Sequence, residues 1–334
     1  MSFRAALVLA LPLLGYGCGG GFPPSELKPR IVIDRASATV STVVRDSHLG
    51  LVKELRDCRG AILAVSSRSA HLARDGKVTA STDIGRSGEI VDARCDLSWI
   101  GVDRTSIIAK TAGGEPREKT YAGRQYLGPS VAFHAPEWRL AFLVGREKIQ
   151  ILSAESLTGV AQVKGPFGGR LAGGQLSNGS GEEIAVLTES GTIEILSADG
   201  AVLAQRSVGA PSFTVTKREG GQEHLLLEDE GRLGLFDSGL QIRLDVAIPV
   251  AGDIPAMHVV SAAEFGRNGA TLGVLMKGRG GWHRTVLLVF REQEALRAEV
   301  LDGDYLVIAP DYLTHDANSF LVGGRNVILR YSLH

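Results

Sequence analysis

The chain has 334 residues, of which 44% are hydrophobic, 22% charged and 6% aromatic, with 42 glycines and 12 prolines. It is too apolar for a disordered chain and too charged for a bundle of membrane helices. With 36 Lys+Arg against 37 Asp+Glu, the formal net charge is −1, which provides no basic field, so no nucleic-acid partner is expected.

Residues 1–17 are expected to be a signal peptide. Arg4 precedes an apolar run over residues 5–14, shorter than the ~20 residues that a membrane span requires and suited to the hydrophobic region of a secretory signal. Gly15-Tyr16-Gly17-Cys18 follows, then Gly19-Gly20-Gly21. This segment resembles the lipobox of bacterial lipoproteins, with Gly17 before the cysteine and Leu14 as the aliphatic residue, one position further upstream than the usual pattern. The resemblance implies lipidation of Cys18, with outer-membrane lipid as a partner through the acyl chains. Gly19, in place of a retention aspartate, implies the outer membrane, with the protein facing the periplasm or the cell surface. Residues 18–30, with Pro23, Pro24 and Pro29, then form the lipidated cysteine and a flexible tether.

If Cys18 is lipidated, Cys58 and Cys95 remain of the three cysteines. In an exported protein an even remainder suggests a disulfide; the alternative is two small buried thiols. Each cysteine stands three residues before an apolar run, at equivalent places in two consecutive repeats.

From residue 31 onward no amphipathic helix is evident. Short apolar runs begin at Ala61, Ser98, Leu140, Ile184, Leu225, Leu272 and Phe320, spaced 37 to 48 residues apart. Each is followed by a tight turn, an alternating strand, a second turn and an outer strand, as in Ile184–Leu187, Ile193–Leu196 and Val202–Ala204. Periods near 40–50 with several strands each indicate propeller blades. The expected fold is an all-β β-propeller occupying residues 31–334 as one domain. Seven blades are expected, with six and eight as alternatives. The last blade lacks an outer strand, and a propeller must close its ring; either Ile31–Ile33 or Thr39–Arg45 is expected to supply it.

The segment Gly174-Gln175-Leu176-Ser177-Asn178-Gly179-Ser180-Gly181-Glu182-Glu183-Ile184-Ala185-Val186 resembles the FG-GAP/VCBS type of propeller repeat. A weaker copy runs over residues 263–270, and the other blades are similar to the looser PQQ-like (quinoprotein-like) or YVTN-like propellers. In the FG-GAP family aspartates of this loop ligate Ca²⁺. Here the positions read Ser177, Asn178 and Ser180, with Glu182 nearby. Two hydroxyls and an amide are a poor set for a hard cation, so a degenerate loop without metal is expected.

No HExxH, nucleophile elbow or phosphate loop occurs. His71, His134, His258 and His315 come from different repeats and would meet only if their loops share one mouth of the ring; surface positions are the plainer expectation. Trp99 lies in an apolar run and reads as core, whereas Trp138 and Trp282 lie in turns and are candidates for a contact surface. No catalytic residue and no cofactor is expected. The sequence thus points to a lipid-anchored, non-enzymatic interaction scaffold whose partners are envelope proteins or polysaccharide. The alternatives are a carbohydrate-binding propeller and a quinoprotein-like or hydrolase/lyase propeller enzyme.

Overall fold

Each apolar run is a β-strand in the computed structural model, which describes residues 31–85, 88–121, 127–134, 137–177, 181–209, 211–249, 257–278 and 284–334. Cys18, Asn178, Ser180 and Trp282 lie outside the described residues. Two strands come first, β1 (Ile31–Asp34) and β2 (Ala38–Arg45). Antiparallel meanders follow, each running from an inner strand outward. The first comprises β3 (Val52–Asp57), β4 (Ile62–Ser66), β5 (Ser69–Arg74) and β6 (Lys77–Asp83). The second comprises β7 (Glu89–Ala93), β8 (Trp99–Val102), β9 (Ser106–Lys110) and β10 (Arg117–Thr120). The third has β11 (Leu127–Phe133), β12 (Arg139–Val144), β13 (Lys148–Ser153) and β14 (Gly159–Lys164). The fourth has β15 (Phe167–Gly174), β16 (Glu183–Thr188), β17 (Thr192–Leu196) and β18 (Val202–Ser207). The fifth has β19 (Ser212–Arg218), β20 (Leu225–Asp229), β21 (Arg232–Phe236) and β22 (Ile242–Ala247). The sixth has β23 (Met257–Phe265), β24 (Thr271–Gly278), β25 (Thr285–Arg291) and β26 (Glu294–Leu301). The last contributes β27 (Tyr305–Pro310), β28 (Ser319–Gly324) and β29 (Val327–Leu333). The architecture is a β-propeller.

The repeating apolar runs are β4, β8, β12, β16, β20, β24 and β28, the second strand of each blade. An inner strand precedes each of them, beyond the three strands legible in every repeat. Burial explains the pattern. On β12, Leu140, Phe142 and Val144 pack with Ile100 and Ile107 of the second blade, while Ala141 and Leu143 pack with Ile184 and Val186 of the fourth. Successive side chains point to opposite faces, and both faces meet a neighbouring blade, so the middle of the strand is apolar and polar residues such as Arg139 stand at its ends. The third strand β13 is only alternately buried, and the outer strand β14 is largely exposed. Turn chemistry sets the spacing. Gly191, between β16 and β17, has φ +77°, and a Cβ there would meet the carbonyl oxygen of Gly209 at 2.5 Å.

The fifth and sixth blades are joined by a parallel pairing of their inner strands, Thr216↔Ala262, Lys217↔Ala263 and Arg218↔Glu264, which makes one nine-stranded sheet. Cys58, just after β3, and Cys95, just after β7, form a disulfide with their Cα atoms 5.6 Å apart. Of the two readings left open by the sequence, the bridge is the one found. A link across 37 residues stabilises by about 3–4 kcal/mol in the chain-entropy model.

Of the two N-terminal candidates for the missing outer strand, Thr39–Arg45 supplies it, and Ile31–Ile33 does not. β2 pairs with β29 from Ala38↔Leu333 to Arg45↔Val327 and becomes the outer strand of the last blade. β1 pairs with β26 and adds a fifth strand to the sixth blade. The turn of the last hairpin is stitched to the start of the first blade: Asn326 N donates to Gly50 O at 2.7 Å, and Gly50 N donates to Asn326 Oδ1 at 3.0 Å. Arg297, 6% exposed, holds β1 through Asp34 at 2.7 Å and also pairs with Glu299 at 2.7 Å. Truncating a buried ion pair on one side leaves the other charge uncompensated. Arg297→Ala is therefore expected to cost about 3 kcal/mol in chemical denaturation, and deletion of residues 31–46 to abolish the cooperative thermal transition.

His71, on β5, is 3% exposed. Its Nε2 lies 2.7 Å from Ser69 Oγ, and its Nδ1 is buried without a partner. Burial lowers its pKa below the usual 6.5; Asp46 pulls the other way, and His48 acts both ways. The unfolded chain therefore takes up the proton first as pH falls. Stability contributed by the neutral imidazole is full above pH about 6.5 and is lost progressively below it. In denaturant titrations from pH 7.5 to 5, His71→Phe is expected to show a shallower loss of stability than the parent chain.

Candidate functional site in the central channel

The seven inner strands all contribute to one cavity of 360 Å³, among them Glu54 and Arg56 of β3, Asp92 of β7, Ser130 of β11, Lys217 of β19 and Val307 of β27. It runs along the axis of the ring. At the end where the inner strands finish, it opens into a second cavity of 420 Å³ that shares Arg56 and Lys217. The loops that follow β7, β11, β15, β19 and β27 converge on this mouth, and they bring Cys95, His134, Glu182, Glu223 and Tyr312 to its wall.

Arg56 is the hub of the axial charges. Its Nη2 lies 2.8 Å from Glu54 Oε1 and 2.8 Å from Asp92 Oδ1, and Nε adds a 2.9 Å hydrogen bond to Glu54. Asp92 is 1% exposed. Its Oδ2 accepts from Trp138 Nε1 at 2.7 Å and lies 3.1 Å from His134 Nε2, while its Oδ1 accepts from Ala93 N at 2.7 Å. Burial alone would raise the Asp92 pKa. The Arg56 guanidinium outweighs it, with help from His134 and Trp138, and the carboxyl is held down at about 2. Burial likewise disfavours the charge on Arg56, but Asp92 and Glu54 more than offset it and raise its pKa. His134 Nε2 stands between Arg56 Nη1 and Asp92 Oδ2.

Lys217 reaches the junction of the two cavities. Burial works against its charge, yet Glu54 and Glu223 raise its pKa. The Glu223 pKa is raised, first by burial and further by Glu182, against the pull of Lys217 and a hydrogen bond from Gln175 N. Burial also pushes the Tyr312 phenol up to about 12.

Several candidate residues are placed differently from expectation. Trp138 is 2% exposed, with Arg94 over its ring at 4.3 Å and its N–H spent on Asp92. It belongs to the core and offers no contact surface, because its ring packs in a buried cluster with Ile100, Leu140 and Leu152. Trp99 is fully buried. In the calcium-type loop, Ser177 N and Oγ both bond Glu183, while Glu182 turns to the channel and accepts from His134 N at 2.7 Å. The four histidines do not converge: His134 alone lines the mouth, His71 is buried on β5, His258 sits on β23, and His315 pairs with Glu219 on the exposed surface. Arg56, Asp92, Lys217 and Glu223 are not among the residues that motif and spacing single out. The available signal was the interruption of apolar strands by charge, as in Val52–Asp57 and Glu89–Ala93.

Asp92→Ala leaves Arg56 short of a buried carboxylate and Trp138 without its acceptor. The expected result is a loss of about 3–5 kcal/mol in chemical denaturation, with a changed tryptophan emission maximum in the native state.

No family model matches the chain, and no curated protein matches it. Solved structures do. BBS1N in complex with ARL6DN is similar with a TM-score of 0.59 at 11% identity, covering 90% of this chain and 97% of that one. Hsv2 from Kluyvelomyces marxianus gives 0.56 at 13% identity over 83% of this chain and 90% of its own. BamB from Moraxella catarrhalis gives 0.52 at 11% identity over 88% and 100%. These likenesses establish the propeller fold.

Proposed function

We propose that the chain is a lipid-anchored envelope protein, lipidated at Cys18, whose propeller acts as a non-enzymatic scaffold for partner proteins at the outer membrane. The observation that carries the scaffold reading is the distribution of exposed apolar side chains. Val160 on β14, Val202 and Leu203 on β18 and Ile242 on β22 are between 38% and 55% exposed. They occupy the outer strands of three successive blades, and the remaining exposed large apolar side chain among the described residues, Val40, lies on β2, the outer strand of the last blade. Outer strands present unpaired edges that soluble proteins usually guard with charge, and clustered exposed apolar residues mark interaction surfaces. A propeller of the same fold, BBS1N, was solved in complex with ARL6DN, which supports a partner-binding use of the architecture.

The test is crosslinking in intact envelopes followed by capture of the full chain. A Leu203→Glu, Ile242→Glu double variant, confirmed to melt like the parent, is expected to lose at least about tenfold of the captured partner. Unchanged capture refutes the rim as the partner surface. In parallel, Cys18→Ala is expected to move the protein from the membrane fraction to the soluble fraction; identical fractionation refutes the anchor.

A further inference from the structure

The geometry points to the channel mouth as a binding site for a neutral polyhydroxylated ligand, of which a saccharide unit is the type. This site is separate from the rim discussed above, and its test stands apart from partner capture.

The mouth is a shaped cavity of 420 Å³, within the range of about 300–1,000 Å³ typical of small-molecule sites. Its wall is cut back at β15. A Cβ on Gly174 would collide with Glu223 Oε2 and with Val215, and one on Gly173 would lie 2.9 Å from Val131. Glu223 is fixed against that wall by reciprocal hydrogen bonds with Gln175: Gln175 N donates to Glu223 Oε2 at 2.9 Å, and Glu223 N donates to Gln175 O at 2.8 Å.

The polar groups at the mouth are only partly spent. Among the described residues Lys217 Nζ makes no hydrogen bond, its nearest carboxylate oxygen being Glu54 Oε1 at 3.6 Å. The Tyr312 hydroxyl, which also lines the cavity, makes none either. Glu182 and Glu223 each commit Oε2 to a backbone amide, of His134 and of Gln175 respectively, and keep Oε1 uncommitted among the described residues. Strong donors and strong acceptors therefore face one space.

Charge selects the ligand. Among the lining residues Arg56, Arg94 and Lys217 oppose a cation, and Glu182 and Glu223 oppose an anion. A hydroxyl both donates and accepts, so a neutral polyol can donate to Glu182 and Glu223 while accepting from Lys217 and Tyr312. A ligand of one sign would be attracted by some of these groups and repelled by the others.

Isothermal titration of the purified full chain with maltose, cellobiose and diacetylchitobiose, alongside succinate and arginine amide, tests the assignment. At least one disaccharide is expected to bind with Kd of about 1 mM or tighter, and both charged probes at least about tenfold more weakly. Lys217→Met and Glu223→Gln are each expected to weaken saccharide binding by about tenfold or more. Tyr312→Phe, which removes a single oxygen, is expected to weaken it by about threefold or more without loss of folding. Lys77→Ala, on the exposed strand β6, should leave it unchanged. The assignment is overturned if no disaccharide binds, if succinate or arginine amide binds as tightly, or if affinity persists in Tyr312→Phe and in whichever of the other two variants folds.

Discussion

A ring of sheets holds together only if its ends are joined, and here the joint is the pairing of the N-terminal strands with the C-terminal blades. β2 lies along the whole of β29 and β1 along β26, with Arg297 clamping the latter from a buried position. Every inter-blade contact depends on this joint. The second strand of a blade buries both faces only while a blade stands on each side. Opening the ring would expose an apolar face at the break and leave a sheet edge unpaired.

The closed ring also determines the chemistry of its axis. The inner strands β3, β7, β11, β15, β19, β23 and β27 bring side chains from distant parts of the sequence into one axial space, where an unpaired buried charge is costly. Arg56 answers that cost by gathering Glu54 and Asp92, and Asp92 in turn holds Trp138 and faces His134. This half of the axial cluster is saturated and ties the first three blades together. The other half, around Lys217, Glu223 and Tyr312, keeps open valences and borders the larger space.

Much of this fold was legible in the sequence because its strongest signal, the apolar middle of the second strand, reflects a simple condition: two neighbours, hence no polar position there. The period of those runs, the glycine turns and the missing outer strand together led to a propeller closed by its N-terminus. The inner strands were harder to read. Val52–Asp57 carries Lys53, Glu54, Arg56 and Asp57 and has the composition of a surface segment, since a polar axis selects the same residues as solvent does. The candidate site was illegible for that reason. Trp138 misled in a related way: Pro136 and Glu137 mark a turn, but a turn can tuck one ring beneath it while exposing its backbone. The cysteine pair was readable to the level of two alternatives, because equal offsets in consecutive repeats imply neighbouring positions without fixing the bond.

Thr39 and His334 bond across a separation of 295 residues, so closure joins segments from opposite ends of the fold. Blades made of consecutive strands can assemble as they emerge, but β1 has no partner until β26 is made and β2 none until β29. Closure therefore carries a loop-closure penalty. Until β29 is made, β2 is an unclaimed, aggregation-prone ribbon. Premature termination anywhere before residue 327 would strand β2 as surely as removing it.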